Sequence, residues 1–167
     1  MNFIAVSYFG QIIFVWFLAL AAITSLEANS VYGRRVVVEP NPRGSTGYGQ
    51  AFVRGIYRSW GISDYPDVIA AVDAAIAEGY ADPERLGVGG WSYGGILTNY
   101  VITKTDRFKA AISGASETNY IACYGTDHYQ HEWEKELGLP WENRELYIKL
   151  SPITYVANIE TPTLILS

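Results

Sequence analysis

A serine lies between small residues where residues 90–94 read Gly-Trp-Ser-Tyr-Gly, which matches the pattern Gly-x-Ser-x-Gly. This pattern is typical of a nucleophile elbow, a tight turn that joins a strand to a helix and points the serine hydroxyl away from the sheet. The turn crowds its neighbours, so the positions two before and two after the serine must be small, as Gly90 and Gly94 are. The segment therefore predicts Ser92 as a nucleophile for acyl transfer. It also predicts the backbone N–H of Tyr93, at the start of the next helix, as an oxyanion donor.

A serine hydroxyl is a weak nucleophile and needs a base, usually a histidine that an acid orients. The chain contains two histidines, His128 and His131. Asp127 immediately precedes His128, and adjacent side chains diverge, so this acid is badly placed to orient that ring. We interpret both histidines as surface or helix-packing residues. As metal ligands they would form a weak site because no third ligand is nearby, and we expect no metal and no cofactor.

Strands and helices alternate along the chain around this motif. Asp64 is placed to cap a helix that has Pro66 in its first turn, and apolar residues recur at helical spacing until Gly79. Alternation of this kind predicts an α/β protein with a parallel sheet and helices on both faces. The predicted strands lie at 35–39, 85–89, 109–113 and 163–166, and the predicted helices at 64–79 and 94–103.

Composition indicates a globular protein of about one domain. The chain has 167 residues, of which 49% are hydrophobic and 17% are charged, and this excludes an intrinsically disordered polymer. The net charge is −5 with no cluster of Lys or Arg, so nucleic acid is not expected as a partner. The single cysteine, Cys123, cannot form an internal disulfide and is interpreted as a small apolar group.

The N-terminal segment, residues 1–30, is set apart by an apolar run from Phe3 to Ile23. Residues 3–24 are long enough to be a membrane-span candidate, and arginines follow the run, so the rest of the chain would be cytoplasmic. A signal peptide is less favoured because no basic region precedes the run. Two further alternatives are core strands and sequence joined to the domain by a misassembled reading frame. Localisation is left as membrane-associated or cytoplasmic.

Four blocks of sequence occur in order at suitable separations: Asn-Pro-Arg-Gly-Ser-Thr-Gly-Tyr-Gly at 41–49, Gly-Trp-Ser-Tyr-Gly-Gly at 90–95, Thr-Asp-Arg-Phe-Lys-Ala-Ala at 105–111 and Leu-Ser-Pro-Ile-Thr at 150–154. Over about residues 36–167 the chain resembles the prolyl oligopeptidase family of serine peptidases, closest to its dipeptidyl and acylaminoacyl peptidase branches. The resemblance implies that residues 31–167 are part of an α/β-hydrolase catalytic domain that acts on peptide substrates.

The same resemblance implies roles for particular residues. Ser92 would be the nucleophile, and the Tyr93 N–H one oxyanion donor. Walls of the substrate pocket would come partly from the segment after the 109–113 strand, where Tyr120 and Tyr124 are candidates, although aromatic core packing explains each of them equally well. Arg43 matches a family position near the active-site loop, where we expect it to fix that loop.

The chain also departs from the family's pattern. It has no segment for the family's β-propeller, and the early strands of the hydrolase domain are missing or replaced by the apolar run. Residues 163–166 look like the strand that leads into the family's His-Gly-x-x-Asp segment. By resemblance the triad acid and histidine lie beyond residue 167, so this chain alone is expected to be inactive or nearly so.

Two other functions fit the residues. An esterase or lipase of the same fold is one, because the elbow does not distinguish esters from amides. A non-catalytic remnant that is tethered to a membrane or binds a partner is the other. Uncovered sheet edges and apolar surface predict self-association in either case.

Overall fold

The structure, a computed structural model, describes residues 2–6 and 36–167. In this part of the chain, strands and helices alternate. The strands are β1 (Asn2–Val6), β2 (Val37–Val38), β3 (Leu86–Trp91), β4 (Phe108–Gly114) and β5 (Thr163–Leu166); the α-helices are α1 (Gln50–Val53), α2 (Tyr65–Ala77), α3 (Tyr93–Lys104), α4 (Tyr120–Thr126), α5 (Gln130–Leu137) and α6 (Arg144–Leu150). Short 3₁₀ helices span Arg54–Ile56 and Pro152–Asn158.

The five strands form one parallel sheet in the order β2-β1-β3-β4-β5. The strand that precedes Ser92 is central in this order, with β1 on one side and β4 on the other. The register of β3 with β4 pairs Val88 with Ala111 and Trp91 with Gly114. Parallel strands all end at the same edge of a sheet, so the residues that follow β3 and β4 are brought together there.

Helix α2 begins where the sequence predicts it. The Asp64 side chain caps it by accepting a hydrogen bond from the Tyr65 N–H, and Val68, Val72 and Ala75 are buried on one face. This spacing of apolar residues is the reason that the segment forms a helix against the core rather than a strand.

Helix α3 follows β3 directly and is buried from Gly94 to Thr103. It packs against β3, β4 and the 3₁₀ helix Pro152–Asn158. Its large residues join those of the sheet and of helices α4 to α6 in one hydrophobic core, whose fully buried members include Leu97, Tyr100, Phe108, Leu137 and Leu150. A helix this deeply buried fixes the turn before it, which carries Ser92.

The parallel sheet with helices confirms the predicted α/β class, and the helix and strand assignments from residue 37 onward are confirmed with small shifts at their ends. The start of the N-terminal run agrees with one of the alternatives left open for it. Residues Asn2–Val6 form strand β1, which pairs with β2 and β3, so at this point the run supplies a strand of the sheet. Residues 7–35, with the rest of the predicted membrane span, lie outside the described residues.

Two further findings bear on the expected partners. Among residues 2–6 and 36–167, no helix combines the length and the apolar character needed to cross a bilayer. Strand β5 lies at one edge of the described sheet, and its Leu164 and Ile165 side chains are exposed. Self-association through this edge remains a prediction.

Candidate active site

Ser92 occupies the turn between β3 and α3, as the sequence predicts. Its backbone has φ 56° and ψ −122°, a positive φ that residues with a side chain rarely adopt. Only a tightly packed surrounding keeps such a residue in this conformation, and strain of this kind is characteristic of nucleophile elbows. The Ser92 carbonyl accepts from the Ile96 N–H at 3.0 Å, which ties the turn to the first turn of α3.

The glycines of this segment are required by contact with backbone atoms. A Cβ on Gly90 would overlap the carbonyl group of Gly94, and a Cβ on Gly95 would overlap the carbonyl oxygen of Gly114. Backbone atoms cannot move aside as a flexible side chain can. The small residues predicted around Ser92 are therefore needed for the strand, the turn and the helix to approach each other.

The ends of β3, β4 and β5 are joined by hydrogen bonds just beyond the strands. The Ser92 N–H donates to the Gly114 carbonyl at 2.9 Å, and the Ala115 N–H donates to the Leu166 carbonyl at 2.8 Å. Ala115, like Ser92, has a positive φ, of 43°. Gly114 leaves room for the Trp91 ring, which a Cβ at residue 114 would hit. The nucleophile turn and the turn after β4 are thus built side by side.

A buried carboxylate holds the residue that follows the nucleophile. The Tyr93 hydroxyl donates to the Asp64 carboxylate at 2.6 Å, and Asp64 is fully buried. Burial raises the pKa of Asp64, and the hydrogen bond from Tyr93 partly opposes that rise. Asp64 therefore does two things, since it caps α2 and fixes the side chain of the first residue of α3.

A cavity of about 420 Å³ opens beside Ser92. Its volume lies within the range of pockets that hold small ligands. Half of its lining residues are aromatic, two carry carboxylates, and the lining contains no Lys, Arg or His among the described residues. The lining residues are Trp60, Trp91, Ser92, Tyr93, Ile96, Ala115, Glu117, Tyr129, Glu132 and Trp133.

The wall opposite the nucleophile turn is built from residues after β4. Burial and the neighbouring Asp127 carboxylate raise the pKa of Glu117 to about 7. Burial also works against ionisation of Asp127, but hydrogen bonds from the Trp133 indole and the Tyr129 N–H lower its pKa. Of this carboxylate pair, Asp127 is therefore the ionised member and Glu117 holds the proton near neutral pH.

The two tyrosines proposed for the pocket lie behind this wall. Tyr120 is fully buried in the hydrophobic core, where its ring contacts Trp60 and Trp133 at centroid distances of 5.7 Å and 4.9 Å. Tyr124 is on α4, and its hydroxyl donates to Glu134 at 2.7 Å. Neither ring is part of the cavity lining, whereas Trp60 and Trp133, which contact Tyr120, are.

The two histidines are exposed and do not line the cavity. The His128 ring stacks near Tyr129, with centroids 4.0 Å apart. Cys123 is half-buried against the core, and burial raises the pKa of its thiol, which makes it a poor nucleophile. In the part of the chain that the structure describes, no group of three or more His, Cys, Asp or Glu is arranged to hold a metal ion.

Arg43 fixes the loop before α1. Its guanidinium donates to both carboxylate oxygens of Asp67, at 2.8 Å and 2.9 Å, and its backbone N–H donates to the same carboxylate. Although burial acts in the opposite direction, Arg43 lowers the pKa of Asp67. The loop that carries Arg43 is thereby attached to the first turn of α2.

Besides Ile96 and Ala115, sequence reasoning missed the six aromatic and acidic lining residues other than Tyr93: Trp60, Trp91, Glu117, Tyr129, Glu132 and Trp133. One signal could have found Glu117. It follows the predicted 109–113 strand, next to the nucleophile strand, and ligands of open parallel sheets bind beyond the carboxyl ends of the strands. The positions of the other five depend on how the loops and helices after each strand pack.

Comparison with known proteins shows what the chain is similar to. The model of the prolyl oligopeptidase family matches residues 29–167. The uncharacterized peptidase YuxL of Bacillus subtilis is 46% identical over 134 residues, which are 78% of this chain and 20% of that protein. Dipeptidyl-peptidase 5 of Schizosaccharomyces pombe is 32% identical over 135 residues, again 78% of this chain and 20% of the relative. The chain thus spans about a fifth of the length of these relatives.

Solved structures agree with the sequence relatives. The acylaminoacyl peptidase of Pyrococcus horikoshii superposes with a TM-score of 0.79 at 30% identity and covers 98% of this chain and 27% of its own. A puromycin-hydrolyzing peptidase of Mycobacterium tuberculosis has a TM-score of 0.77 at 29% identity and covers 98% of this chain and 25% of its own. An acylaminoacyl peptidase in complex with Z-Gly-Gly-Phe-chloromethyl ketone also has a TM-score of 0.79 at 30% identity, over 98% of this chain and 26% of its own.

Proposed function

This chain belongs to the prolyl oligopeptidase family, and from that premise we propose that Ser92 is the nucleophile of a serine peptidase that cleaves peptide bonds through an acyl-enzyme. The observation that carries the proposal is the placement of Ser92 at a strained strand-to-helix turn that opens on a cavity of about 420 Å³. The peptide-like inhibitor bound to the related acylaminoacyl peptidase supports a peptide as the substrate.

The chemistry assigned to Ser92 follows from its position. Its Oγ forms a bond to the carbonyl carbon while a base takes the hydroxyl proton, and the carbonyl oxygen becomes an oxyanion. The Tyr93 N–H, at the N-terminus of α3, is assigned as a donor to that oxyanion. The C–N bond then breaks, the leaving amine receives the proton, and water hydrolyses the ester on Ser92.

We further propose that the base and its acid come from outside residues 1–167. The support is that both histidines of the chain are exposed and neither is part of the cavity lining. Removal of the base from a serine triad commonly lowers kcat by about 10⁴ to 10⁶. The 167-residue chain alone is therefore expected to have little or no peptidase activity.

A fluorophosphonate probe tests this proposal. We would compare the 167-residue chain with the same chain joined to the C-terminal segment of YuxL, which by resemblance supplies an acid and a histidine. Labelling at Ser92 is expected to be strong in the joined protein and weak in the chain alone, and Ser92→Ala should abolish it. Ser63→Ala is the matched control, since the Ser63 hydroxyl is hydrogen-bonded to the Ser59 hydroxyl and neither serine lines the cavity.

A folded joined protein that does not react at Ser92 would overturn the nucleophile assignment. Strong labelling of the chain alone would instead overturn the proposal of an external base. An aminoacyl naphthylamide and a p-nitrophenyl ester then separate a peptidase from an esterase of the same fold, because only a peptidase cleaves the amide efficiently.

Membrane attachment through the apolar run 3–24 is a separate proposal that rests on the sequence of residues 7–24 alone, because residues 3–6 belong to strand β1 and residues 7–24 lie outside the described residues. A fusion of residues 1–30 to a soluble reporter tests it. The reporter should sediment with membranes, and a fully soluble reporter would contradict the proposal.

A further inference from the structure

The cavity beside Ser92 has an unbalanced charge. Glu117 and Glu132 contribute carboxylates to its lining, and no described Lys, Arg or His side chain lines it. The cavity and Ser92 define the binding site. The two carboxylates determine which charge the bound group should have.

Glu117 and Glu132 come from different elements of the same wall. Glu117 follows the turn at Ala115 and is half-buried, whereas Glu132 is exposed in the first turn of α5. Glu117 also faces the Asp127 carboxylate, and this like-charge neighbour together with burial favours a proton on Glu117. A cation in the cavity would remove the need for that proton and would pair with carboxylates that have no basic side chain in the described lining.

The aromatic part of the wall favours the same kind of group. Trp91 and Tyr129 are 41% and 50% exposed, so their rings are open to a ligand, and Trp60 and Trp133 complete the aromatic lining. The faces of indole and phenol rings attract ammonium and guanidinium groups. An anionic group would meet both carboxylates and the negative ring faces, and a neutral apolar group would desolvate Glu117 further and bring no opposite charge to it.

We propose that this cavity selects a positively charged group of the peptide substrate, an alkylammonium or a guanidinium, held between Glu117, Glu132 and the surrounding aromatic rings. The inference rests on the proposed function of Ser92, because that function makes a peptide the ligand. The charged group has two sources in a peptide, a basic side chain and the free N-terminus.

The preference should depend on pH because Glu117 is the titrating group. The groups that face it or its partner are Asp127 and the Cys123 thiol, with His128 near Asp127 and Glu132 on the neighbouring helix. Ionised Glu117 binds a cation more strongly than protonated Glu117. The preference for a cation is therefore expected to rise as the pH increases through about 7, the pKa of Glu117 in the free protein.

Equilibrium binding tests the inference without any catalytic step. We would titrate the 167-residue chain with N-acetyl-arginine amide and with its neutral isostere N-acetyl-citrulline amide and follow tryptophan fluorescence, since three of the five tryptophans line the cavity. At pH 8 the arginine amide should bind about tenfold more tightly. The ratio should fall at pH 6.

Variants assign the effect to the carboxylates. The double variant Glu117→Gln with Glu132→Gln should bring the ratio close to one, whereas Glu142→Gln, which removes an exposed carboxylate outside the cavity, should leave it unchanged. The readout is binding and involves no acyl transfer, whereas the nucleophile assignment is read from fluorophosphonate labelling, so failure of that assignment and failure of this inference are distinguishable. Circular dichroism confirms that each variant is folded.

A second pair of ligands identifies the source of the charge. Alanine amide has a free ammonium and N-acetyl-alanine amide does not. If alanine amide binds more tightly than N-acetyl-alanine amide, the charged group is the N-terminus of the peptide. If only N-acetyl-arginine amide binds more tightly than its neutral isostere, the charged group is a basic side chain. Three outcomes would overturn the inference. Charged and neutral ligands could bind equally in both pairs, or no ligand could bind detectably. The third outcome is that the double variant keeps the parent chain's ratio of affinities for N-acetyl-arginine amide and N-acetyl-citrulline amide.

Discussion

The turn that carries Ser92 is held by contacts between backbone atoms, whereas the opposite wall of the cavity is held by side chains. On the first side, Gly90 meets Gly94 and Gly95 meets Gly114 with no room for a Cβ. On the second side, the Asp127 carboxylate accepts from the Trp133 indole and Tyr124 donates to Glu134. The same cavity thus has one wall that depends on the absence of side chains and one that depends on their identity.

This difference separates the chemistry from the selectivity. Substitutions on the backbone-built side disturb the sheet, the turn and the buried helix α3 together, because interiors are close-packed. The other wall lies on short helices with many exposed positions, where substitutions usually change stability by about 0.5 kcal/mol or less. Selectivity can therefore change there while Ser92 keeps its geometry.

The largest effect is expected for Gly90→Ala. Its Cβ would overlap the Gly94 carbonyl group, so we expect a loss of about 3 kcal/mol in the free energy of unfolding. The matched control is Gly125→Ala in α4, behind the other wall, where a Cβ meets nothing within 4 Å. That change should stabilise the chain by about 0.5 to 1 kcal/mol, since Ala is the better helix former. Urea unfolding measures both, and equal effects would contradict the contrast between the walls.

The next effect concerns a side chain, Asp64, that also holds the turn at Ser92. Asp64→Ala removes the cap of α2 and the acceptor of the Tyr93 hydroxyl, so we expect a loss of about 2 kcal/mol in the free energy of unfolding. Asp64→Asn keeps an oxygen for the cap and removes a buried charge, and it should cost less than about half of that. If both variants unfold at the same urea concentration as the parent chain, Asp64 does not fix this turn.

A smaller effect is the pH dependence of stability that comes from Glu117. Its pKa is raised from 4.5 to about 7 in the folded chain, so between these values the folded state binds more protons than the unfolded state. Stability from this group is therefore greatest below about pH 4.5 and is lost as the pH rises to about 7. Urea unfolding at pH 5 and pH 8 should show this decline, and Glu117→Gln should reduce it.

Two other carboxylates do not obscure the Glu117 comparison. Asp64 also has a raised pKa, so it contributes a decline of the same sign, but that decline is present in both the parent chain and the variant. The pKa of Asp127 is lowered below 3.8, so its contribution of opposite sign lies at more acidic pH. An identical decline in Glu117→Gln would show that Glu117 is not the titrating group.

The smallest effect is expected for Tyr124→Phe. This change removes an exposed hydrogen bond to Glu134 and leaves the cavity lining intact, so binding of N-acetyl-arginine amide should not change. A loss of tenfold or more would place Tyr124 in the substrate pocket after all, as the resemblance to the family implies.

The sequence predicts the nucleophile side of the cavity well. The pattern around Ser92 is local, and the strand before it and the helix after it follow from apolar spacing over a few residues. The cap at Asp64 is also local. Its hydrogen bond to Tyr93 is not, because the two residues meet only when α2 packs beside α3.

The other wall could not be predicted in the same way. The resemblance implies a pocket wall from the segment after β4, with Tyr120 and Tyr124 as candidates, but α4 turns Tyr120 into the core and α5 brings Trp133 to the cavity instead. Trp60 comes from a loop before α2, far from this segment in sequence. Such contacts depend on long-range packing between irregular segments, for which no short-range pattern exists.

The hydrogen bonds beyond the strand ends connect three strands in series. The Leu166 carbonyl holds Ala115, and the Gly114 carbonyl beside it holds Ser92. A force that moves the end of β5 therefore acts first on the cavity wall at Ala115 and then on the nucleophile. The backbone of Ser92 is thus linked through Gly114 and Ala115 to Leu166, a residue far along the chain that does not line the cavity.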